Sequence, residues 1–238
     1  MSAAGEMADE QLLSRLLIVR HGESVAMAEG IVGGPKGCRG LTDRGHAQAA
    51  ALRDRFAAGR EPVVHFVYTS PLPRARETTD IVLPALGGDE RGNLDVRIHD
   101  DLEEIRLGPI DGMTWEAARQ QFAFVRSDGQ PYAPVVPGGE SRAGFRHRVA
   151  QVLNDIAASH PGATVFVGCH GGIVSAAMAM AFGIPPAQPG VGVVTAVTSI
   201  TELELLDGDN GLLDGDKGRR WQVRRFNDAA HLTAVEAA

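Results

Sequence analysis

Cysteine is scarce in this sequence: Cys38 and Cys169 are the only two in 238 residues, too few for a disulfide framework. Asn-x-Ser/Thr acceptor sites are absent, and no apolar run approaches the length needed to span a bilayer. Residues 1–15 carry Glu6, Asp9 and Glu10 ahead of the first apolar run, the wrong charge for a secretory signal. Together these absences set a cytoplasmic expectation, with no membrane partner. Positive charge is not in excess either. Lys and Arg number 23 against 30 Asp and Glu, a net charge of −7, which argues against a nucleic-acid surface and confines anion binding to a local pocket. Metal-ligand spacings are missing as well, since neither Cys-x-x-Cys nor His-x-x-x-His occurs; no metal or cofactor is expected.

What is present reads as one globular domain. Hydrophobic residues make up 44% and charged residues 22%, enough for a sizeable core. The chain is organised around Leu16-Leu17-Ile18-Val19-Arg20-His21-Gly22-Glu23-Ser24. Four apolar residues that suit a buried strand run into an arginine, a histidine and a glycine, placing an imidazole at a strand's carboxyl end, where open α/β sheets hold their ligands. Taken alone, His21 equally well caps the end of a strand.

The glycine-rich residues 30–40 carry neither the Gly-Lys-Ser/Thr of a P-loop nor the glycine spacing of a dinucleotide turn. They read as a flexible loop in which Lys36 and Arg39 offer contacts to an anion. Thr42 is placed to cap a helix with Ala49, Leu52, Phe56 and Ala57 as its buried stripe and His46 solvated in its first turn. A short strand, Phe66-Val67-Tyr68, leads to Ser70-Pro71-Leu72-Pro73-Arg74 and a helix starting near Leu72. Arg74 would oppose the dipole in that helix's first turn, a conflict that an anion bound between helix terminus and guanidinium would resolve. A strand over residues 95–99 precedes four acidic residues, Asp100, Asp101, Glu103 and Glu104, which on charge alone suit a solvated loop. Helices are expected over 114–124 and from Glu140-Ser141 to about residue 159, the latter burying Phe145, Val149, Val152, Leu153 and Ile156, with an irregular proline-rich stretch over 131–139 between them.

Residues 163–174 repeat the opening logic: a buried strand, then Cys169-His170-Gly171-Gly172, then a helix of small residues from Ser175 to Phe182. Neighbours in extended chain face opposite ways, so Cys169 and His170 do not converge on a metal, and Cys169 reads as a small buried residue. Residues 195–206 and 221–226 alternate as two antiparallel strands, and the quasi-repeat of Asp207-Gly208-Asp209 and Asp214-Gly215-Asp216 between them reads as a long polar connection, lacking the late glutamate of a calcium loop. Strands alternating with helices, followed by adjacent strands, indicate a three-layer α/β/α sandwich with a mostly parallel central sheet and antiparallel pairing at one end. Parallel strands end at one edge, so Arg20, His21, Arg74, Glu104 and His170 would gather there. Two imidazoles, two guanidiniums and a carboxyl are the parts that phosphoryl transfer through histidine needs.

In this ordered set the chain resembles the histidine phosphatase superfamily, also called the phosphoglycerate mutase-like family. The resemblance rests on Arg20-His21-Gly22-Glu23-Ser24, Leu41-Thr42-Asp43-Arg44-Gly45, Ser70-Pro71-Leu72-Pro73-Arg74-Ala75, Leu102-Glu103-Glu104, Pro137-Gly138-Gly139-Glu140-Ser141, His170-Gly171-Gly172 and the closing residues 227–232, covering most of 16–232. It implies one domain over 16–232; residues 1–15 read as a flexible segment and 233–238 as a frayed tail. It further implies that His21 is the phosphorylated nucleophile, Glu104 the proton donor, and Arg20, Arg74 and His170 the phosphate pocket, with Gly22, Ser24 and Gly171 as further phosphate contacts. Spacing alone leaves Glu103 as a rival acid; the family's Leu-x-Glu pattern selects Glu104. Two arginines beside His21 would push its pKa down and keep it a neutral nucleophile.

Two departures stand out. Family members commonly carry asparagine three residues after the Ser/Thr of the first motif, where this chain has Met27. The mutase branch has Glu-Arg-His-Tyr-Gly around its acid, whereas this chain reads Glu104-Ile105-Arg106-Leu107-Gly108. The expected activity is therefore a metal-independent phosphomonoesterase for a small phosphorylated metabolite. A mutase-like phosphotransferase with the same intermediate and a catalytically weak phosphate-binding module are the alternatives.

Overall fold

In the computed structural model, residues 11–87, 94–125, 129–186, 192–209 and 217–233 are described. The first strand, β1 (Gln11–Arg20), leads to a one-turn helix, α1 (Val25–Ala28). Next come α2 (Asp43–Ala57), β2 (Phe66–Thr69), α3 (Pro73–Val82) and β3 (Val96–Ile98). The chain continues through α4 (Trp115–Gln121), α5 (Arg142–Ser159), β4 (Thr164–Cys169) and α6 (Gly171–Ala181), and closes with β5 (Ile200–Asp209) and β6 (Lys217–Asp228). The sheet order is β3-β2-β4-β1-β5-β6. β1, β2, β3 and β4 are mutually parallel, and β5 pairs antiparallel with both β1 and β6.

The period of two in β1 sorts its side chains between two layers. Leu16 and Ile18 pack with Phe145, Val149 and Leu153 of α5 and with Ile173 and Ala177 of α6. Leu17 and Val19 face the other way, onto Leu52 and Phe56 of α2 and Val82 of α3. β4 divides in the same fashion, Val165 and Val167 to the first layer and Phe166 to the second. A strand clothed on both faces must be apolar throughout, which is why β1 and β4 read as continuous hydrophobic runs. This is the expected three-layer α/β/α sandwich, with its antiparallel strands at the β6 end.

Element ends differ from expectation where backbone pairing, not periodicity, sets them. β1 begins at Gln11, because residues 11–15 pair with β5 and β4; the segment read as flexible over 1–15 is therefore strand from Gln11, and residues 1–10 lie outside the described residues. α4 stops at Gln121, short of Phe124. α6 starts at Gly171, directly after His170. β5 and β6 extend to Asp209 and from Lys217, so much of the expected polar connection is strand, and 210–216 is outside the described residues. Thr42, Thr114 and Ser141 each cap a helix through the side-chain oxygen, accepting from Gly45, Ala117 and Gly144 amides. His46 is exposed as expected, whereas Ala57 is exposed instead of completing the α2 stripe.

Candidate active site

Four parallel strands deliver their carboxyl ends to one edge, and the expected residues sit there. Arg20 ends β1 and His21 follows it; Arg74 lies in the first turn of α3, just after β2; Glu104 follows the turn Asp100–Leu102 beyond β3; His170 joins β4 to α6. Arg20, His21, Ser24, Arg74, Glu104 and Gly171 line one cavity of about 1010 Å³. His170 stands behind it, its ring edge-to-face with that of His21 at 5.2 Å between centroids.

The His21 ring is fixed by its two nitrogens. Nδ1 donates to the Gly22 carbonyl at 2.6 Å, and Nε2 accepts from Arg74 Nε at 2.9 Å. Only the neutral ring protonated on Nδ1 satisfies both partners, which leaves the lone pair on Nε2 facing the guanidinium. Burial is the largest cause holding the His21 pKa well below its ordinary value, and the charges of Arg74 and Arg20 add to it. The arginines were expected to depress it; desolvation of a ring only 4% exposed does more. Gly22 is tightly placed: a Cβ on it would lie 2.6 Å from the Gly45 carbonyl oxygen, and its own N–H donates to Thr78 Oγ1 at 3.1 Å. Both its polar backbone groups therefore hold the His21 segment in position. Ser24 caps α1, accepting from the Met27 amide at 3.3 Å.

Each cation is aimed by a carbonyl. Arg74 Nη1 donates to Gly33 at 2.5 Å, and Arg20 Nη1 donates to the Thr195 carbonyl. Arg20 Nε, though buried, has no hydrogen-bond partner among the described residues. His170 is fully buried and carries a pKa well below its ordinary value, first through burial and then through Arg74 and His21. Its Nε2 meets Ser70 Oγ at 2.7 Å, while its Nδ1 has no partner among the described residues. Ser70 Oγ accepts from the Leu72 amide at 3.3 Å, so its own proton is free for His170 Nε2, and the network assigns the imidazole proton to Nδ1. Buried orphan donors are rare and call for an acceptor. Here two of them, Arg20 Nε and His170 Nδ1, stand near the His21 ring.

Glu104 is tethered at both oxygens, Oε2 accepting from the Gly172 amide and Oε1 from that of Ile105, each at 2.9 Å. The first bond satisfies one of the unpaired amides at the start of α6. Glu103 is differently committed, paired with Arg106 Nε at 2.8 Å. Of the two cations expected near an anion in the glycine-rich loop, Lys36 lines the cavity while Arg39 is paired with Glu29. That loop is tied down: Asp111 accepts from the amides of Lys36 and Gly37 at 2.8 and 3.0 Å. At the departed asparagine position, Met27 Sδ lies 3.7 Å from Arg20 Nη2, a weak acceptor in place of an amide oxygen.

Ser70, Thr78 and Thr195 were not singled out from sequence as site residues. Ser70 stands at a strand end inside a noted motif, and Thr78 lies one turn after Arg74, donating to its carbonyl at 2.7 Å, so the helical i, i+4 spacing carried a signal. Thr195 meets Arg20 across 175 residues, and nothing local announces it.

Known proteins resemble this chain over most of its length. It is 28% identical over 224 residues to phosphoglycerate mutase-like protein 4 of Arabidopsis thaliana, covering 92% of this chain and 87% of that one. It is 26% identical over 231 residues to the metal-independent phosphoserine phosphatase of the same plant, covering 95% and 86%. Among solved structures, a mycobacterial glucosyl-3-phosphoglycerate phosphatase complexed with VO3 superposes with a TM-score of 0.68 at 26% identity, covering 90% of this chain and 98% of that one. A family model, that of the histidine phosphatase superfamily (branch 1), matches residues 16–214. With its imidazoles and guanidiniums gathered at the strand ends and this match across most of its length, the chain belongs to the histidine phosphatase superfamily.

Proposed function

We propose that the protein is a metal-independent phosphomonoesterase that hydrolyses its substrate through a phosphohistidine on His21. The observation that carries this reading is the neutral His21 ring, its Nε2 lone pair directed among Arg74, Arg20 and His170. In the free enzyme Arg74 Nε holds that lone pair. An arriving phosphate dianion draws the guanidinium onto its own oxygens, since a charge-assisted bond to phosphate is stronger than one to a neutral ring, and so frees Nε2. The lone pair then forms the N–P bond as the ester P–O bond breaks. Charge spread over the equatorial oxygens meets Arg20, the Nδ1–H of His170 and the Arg74 guanidinium already drawn to the phosphate. Two guanidiniums supply the positive charge that a metal supplies elsewhere.

The departing alkoxide takes its proton from the carboxyl of Glu104. As carboxylate, Glu104 then accepts a proton from the water that attacks the phosphohistidine; the N–P bond breaks, its electron pair returns to Nε2 and inorganic phosphate leaves. A relative named as a metal-independent phosphoserine phosphatase and a structural neighbour named as a glucosyl-3-phosphoglycerate phosphatase support hydrolysis. The segment Glu104-Ile105-Arg106-Leu107-Gly108 favours it over mutase chemistry.

The test is turnover with EDTA present, quenched with alkaline detergent. A base-stable, acid-labile phosphoryl group should appear on His21 and be absent from His21→Ala, which should also lose turnover. Activity that requires an added metal, or that survives in His21→Ala, overturns the reading.

A further inference from the structure

The cavity extends well beyond the phosphate cluster, and its composition is specific. At about 1010 Å³ it stands at the upper end of the roughly 300–1,000 Å³ that drug-sized ligands occupy, more than a three-carbon phosphorylated acid fills. Its walls away from Arg20 and Arg74 are largely apolar, contributed by Met27, Ile31, Ile105, Leu107, Trp115 and Val194 from four separate segments. Two of these are large apolar groups left in water: Met27 is 44% exposed and Val194 86% exposed. Surface apolar residues that cluster around a cavity, rather than scatter singly, mark a binding face.

The polar groups of the wall are mostly spent. Arg106 is held by Glu103 at 2.8 Å and by the Asp100 carbonyl at 2.9 Å, and Asp111 accepts two backbone amides. Lys36 is the one lining cation outside the phosphate cluster without a partner among the described residues. With Arg106 offset by Glu103 and Lys36 by Asp111, the wall offers no net positive patch for a second phosphate or a carboxylate. Met27 sharpens the point, because it begins the apolar wall beside Arg20 where an asparagine would have offered a polar contact.

We propose that this site takes phosphate monoesters of bulky apolar alcohols, aryl-alkyl or branched-alkyl, in preference to esters that carry a second anionic group. The proposal rests on the phosphatase reading above. Phosphate is gripped at the strand ends by His21, Arg20, Arg74 and His170, and the alcohol portion lies along Met27, Ile105, Trp115 and Val194. Burial of apolar surface yields about tenfold in affinity for each ~55 Å² removed from water.

The experiment compares kcat/KM of the full chain for 2-phenylethyl phosphate, ethyl phosphate, O-phosphoserine and 3-phosphoglycerate. All four release an aliphatic alkoxide, so the comparison reads binding of the alcohol portion more than leaving-group chemistry. The expected result is a value for 2-phenylethyl phosphate roughly 10–100-fold above that for ethyl phosphate, after the ordering losses of binding, and above those for both anionic esters. Trp115→Ala should shrink the phenylethyl-to-ethyl ratio several-fold. Val194→Asp, at an exposed position that folding does not depend on, should shrink it as well. Anionic esters turned over as well as or better than the phenylethyl ester, or a ratio untouched by both variants, overturn the substrate proposal alone. Absence of His21-dependent turnover with every ester overturns the phosphatase reading and this proposal with it.

Discussion

Replacing Gly172 by alanine tests the proposed proton donor, Glu104, without touching it. An added Cβ would lie 2.0 Å from Glu104 Oε1 and 2.7 Å from its Cδ, where real contacts begin near ~3.2 Å. The carboxyl must therefore retreat by about 1 Å or more, giving up the 2.9 Å bond from the Gly172 amide. A misplaced general acid forfeits about 10²–10⁴ in rate. Stability should barely change. Gly172 is helical, so alanine gains about 0.5–1 kcal/mol, while loss of the carboxylate at the α6 start costs about 0.5–2 kcal/mol. The melting temperature should shift by no more than about 4 °C. The assay is kcat/KM, which stops at phosphoryl transfer and so isolates the acid role. Alkyl phosphates should lose at least about 100-fold. Nitrophenyl phosphate, whose phenolate leaves without a proton, should lose far less. Equal losses for both esters, or none for either, refute Glu104 as the acid tethered by α6.

Acidification supplies a second test. His21 and His170 have folded pKa values well below ordinary, chiefly through burial, so below about pH 6.5 the unfolded chain binds protons that the fold does not. Stability is then full above that pH and lost as pH falls; at pH 5 each imidazole that stays neutral in the fold removes about 2 kcal/mol. Denaturant titrations at pH 7 and pH 5 check this, and a flat profile counts against neutral imidazoles. Ser70→Ala removes the hydroxyl that fixes His170 through Nε2. Inhibition by inorganic phosphate should weaken about fivefold to tenfold, the loss of one well-placed hydrogen bond, with His21 still phosphorylated. Unchanged inhibition would show that the Ser70 bond does not orient His170.

The chemistry was readable because the fold concentrates it at strand ends. Val19-Arg20-His21 and Cys169-His170 announce themselves as apolar runs that stop at polar residues, and parallel pairing of β1 with β4 places Arg20 opposite Cys169. Arg74 was readable as an electrostatic misfit in the first turn of α3. The supports behind these residues were not readable. Ser70 and Thr195 act through single contacts between segments 100 and 175 residues apart, and such pairings leave no local pattern. The start of β5 at Ile200 was missed for a related reason. The alternation from residue 195 suited a strand, but residues 195–199 are irregular beside the end of β1, with the Ser199 carbonyl accepting from Arg20 N and the Thr198 amide donating to the His21 carbonyl, both at 3.3 Å.

That segment is itself held by the end of the chain. Thr198 has φ of +53°, a region that a β-branched residue occupies only at a cost of about 1–3 kcal/mol. Asn227 accepts from the Ala196 amide at 2.7 Å, and His231 Nε2 meets Thr198 Oγ1 at 2.9 Å. His231 is held down to a pKa of about 4, first by burial and then by Arg55, so at neutral pH it is uncharged. With Nδ1 turned to Arg55 Nη1 at 3.5 Å, its proton sits on Nε2 and is donated to Thr198. Arg55 in turn grips Asp228 with both terminal nitrogens, at 2.9 and 2.5 Å. The chain of contacts thus runs from α2 through Asp228 and His231 to Thr198, and from there to the backbone of His21 and the carbonyl that aims Arg20. His231→Ala should let residues 195–199 relax and misdirect Arg20, raising the inhibition constant for inorganic phosphate about tenfold, the equivalent of one charge-assisted bond. His231→Gln, which retains a donor, should recover most of that loss. Measured well below the melting temperature, a His231→Ala protein that is less stable yet binds phosphate as tightly as the native protein would reduce this clasp to a structural tie with no hold on Arg20.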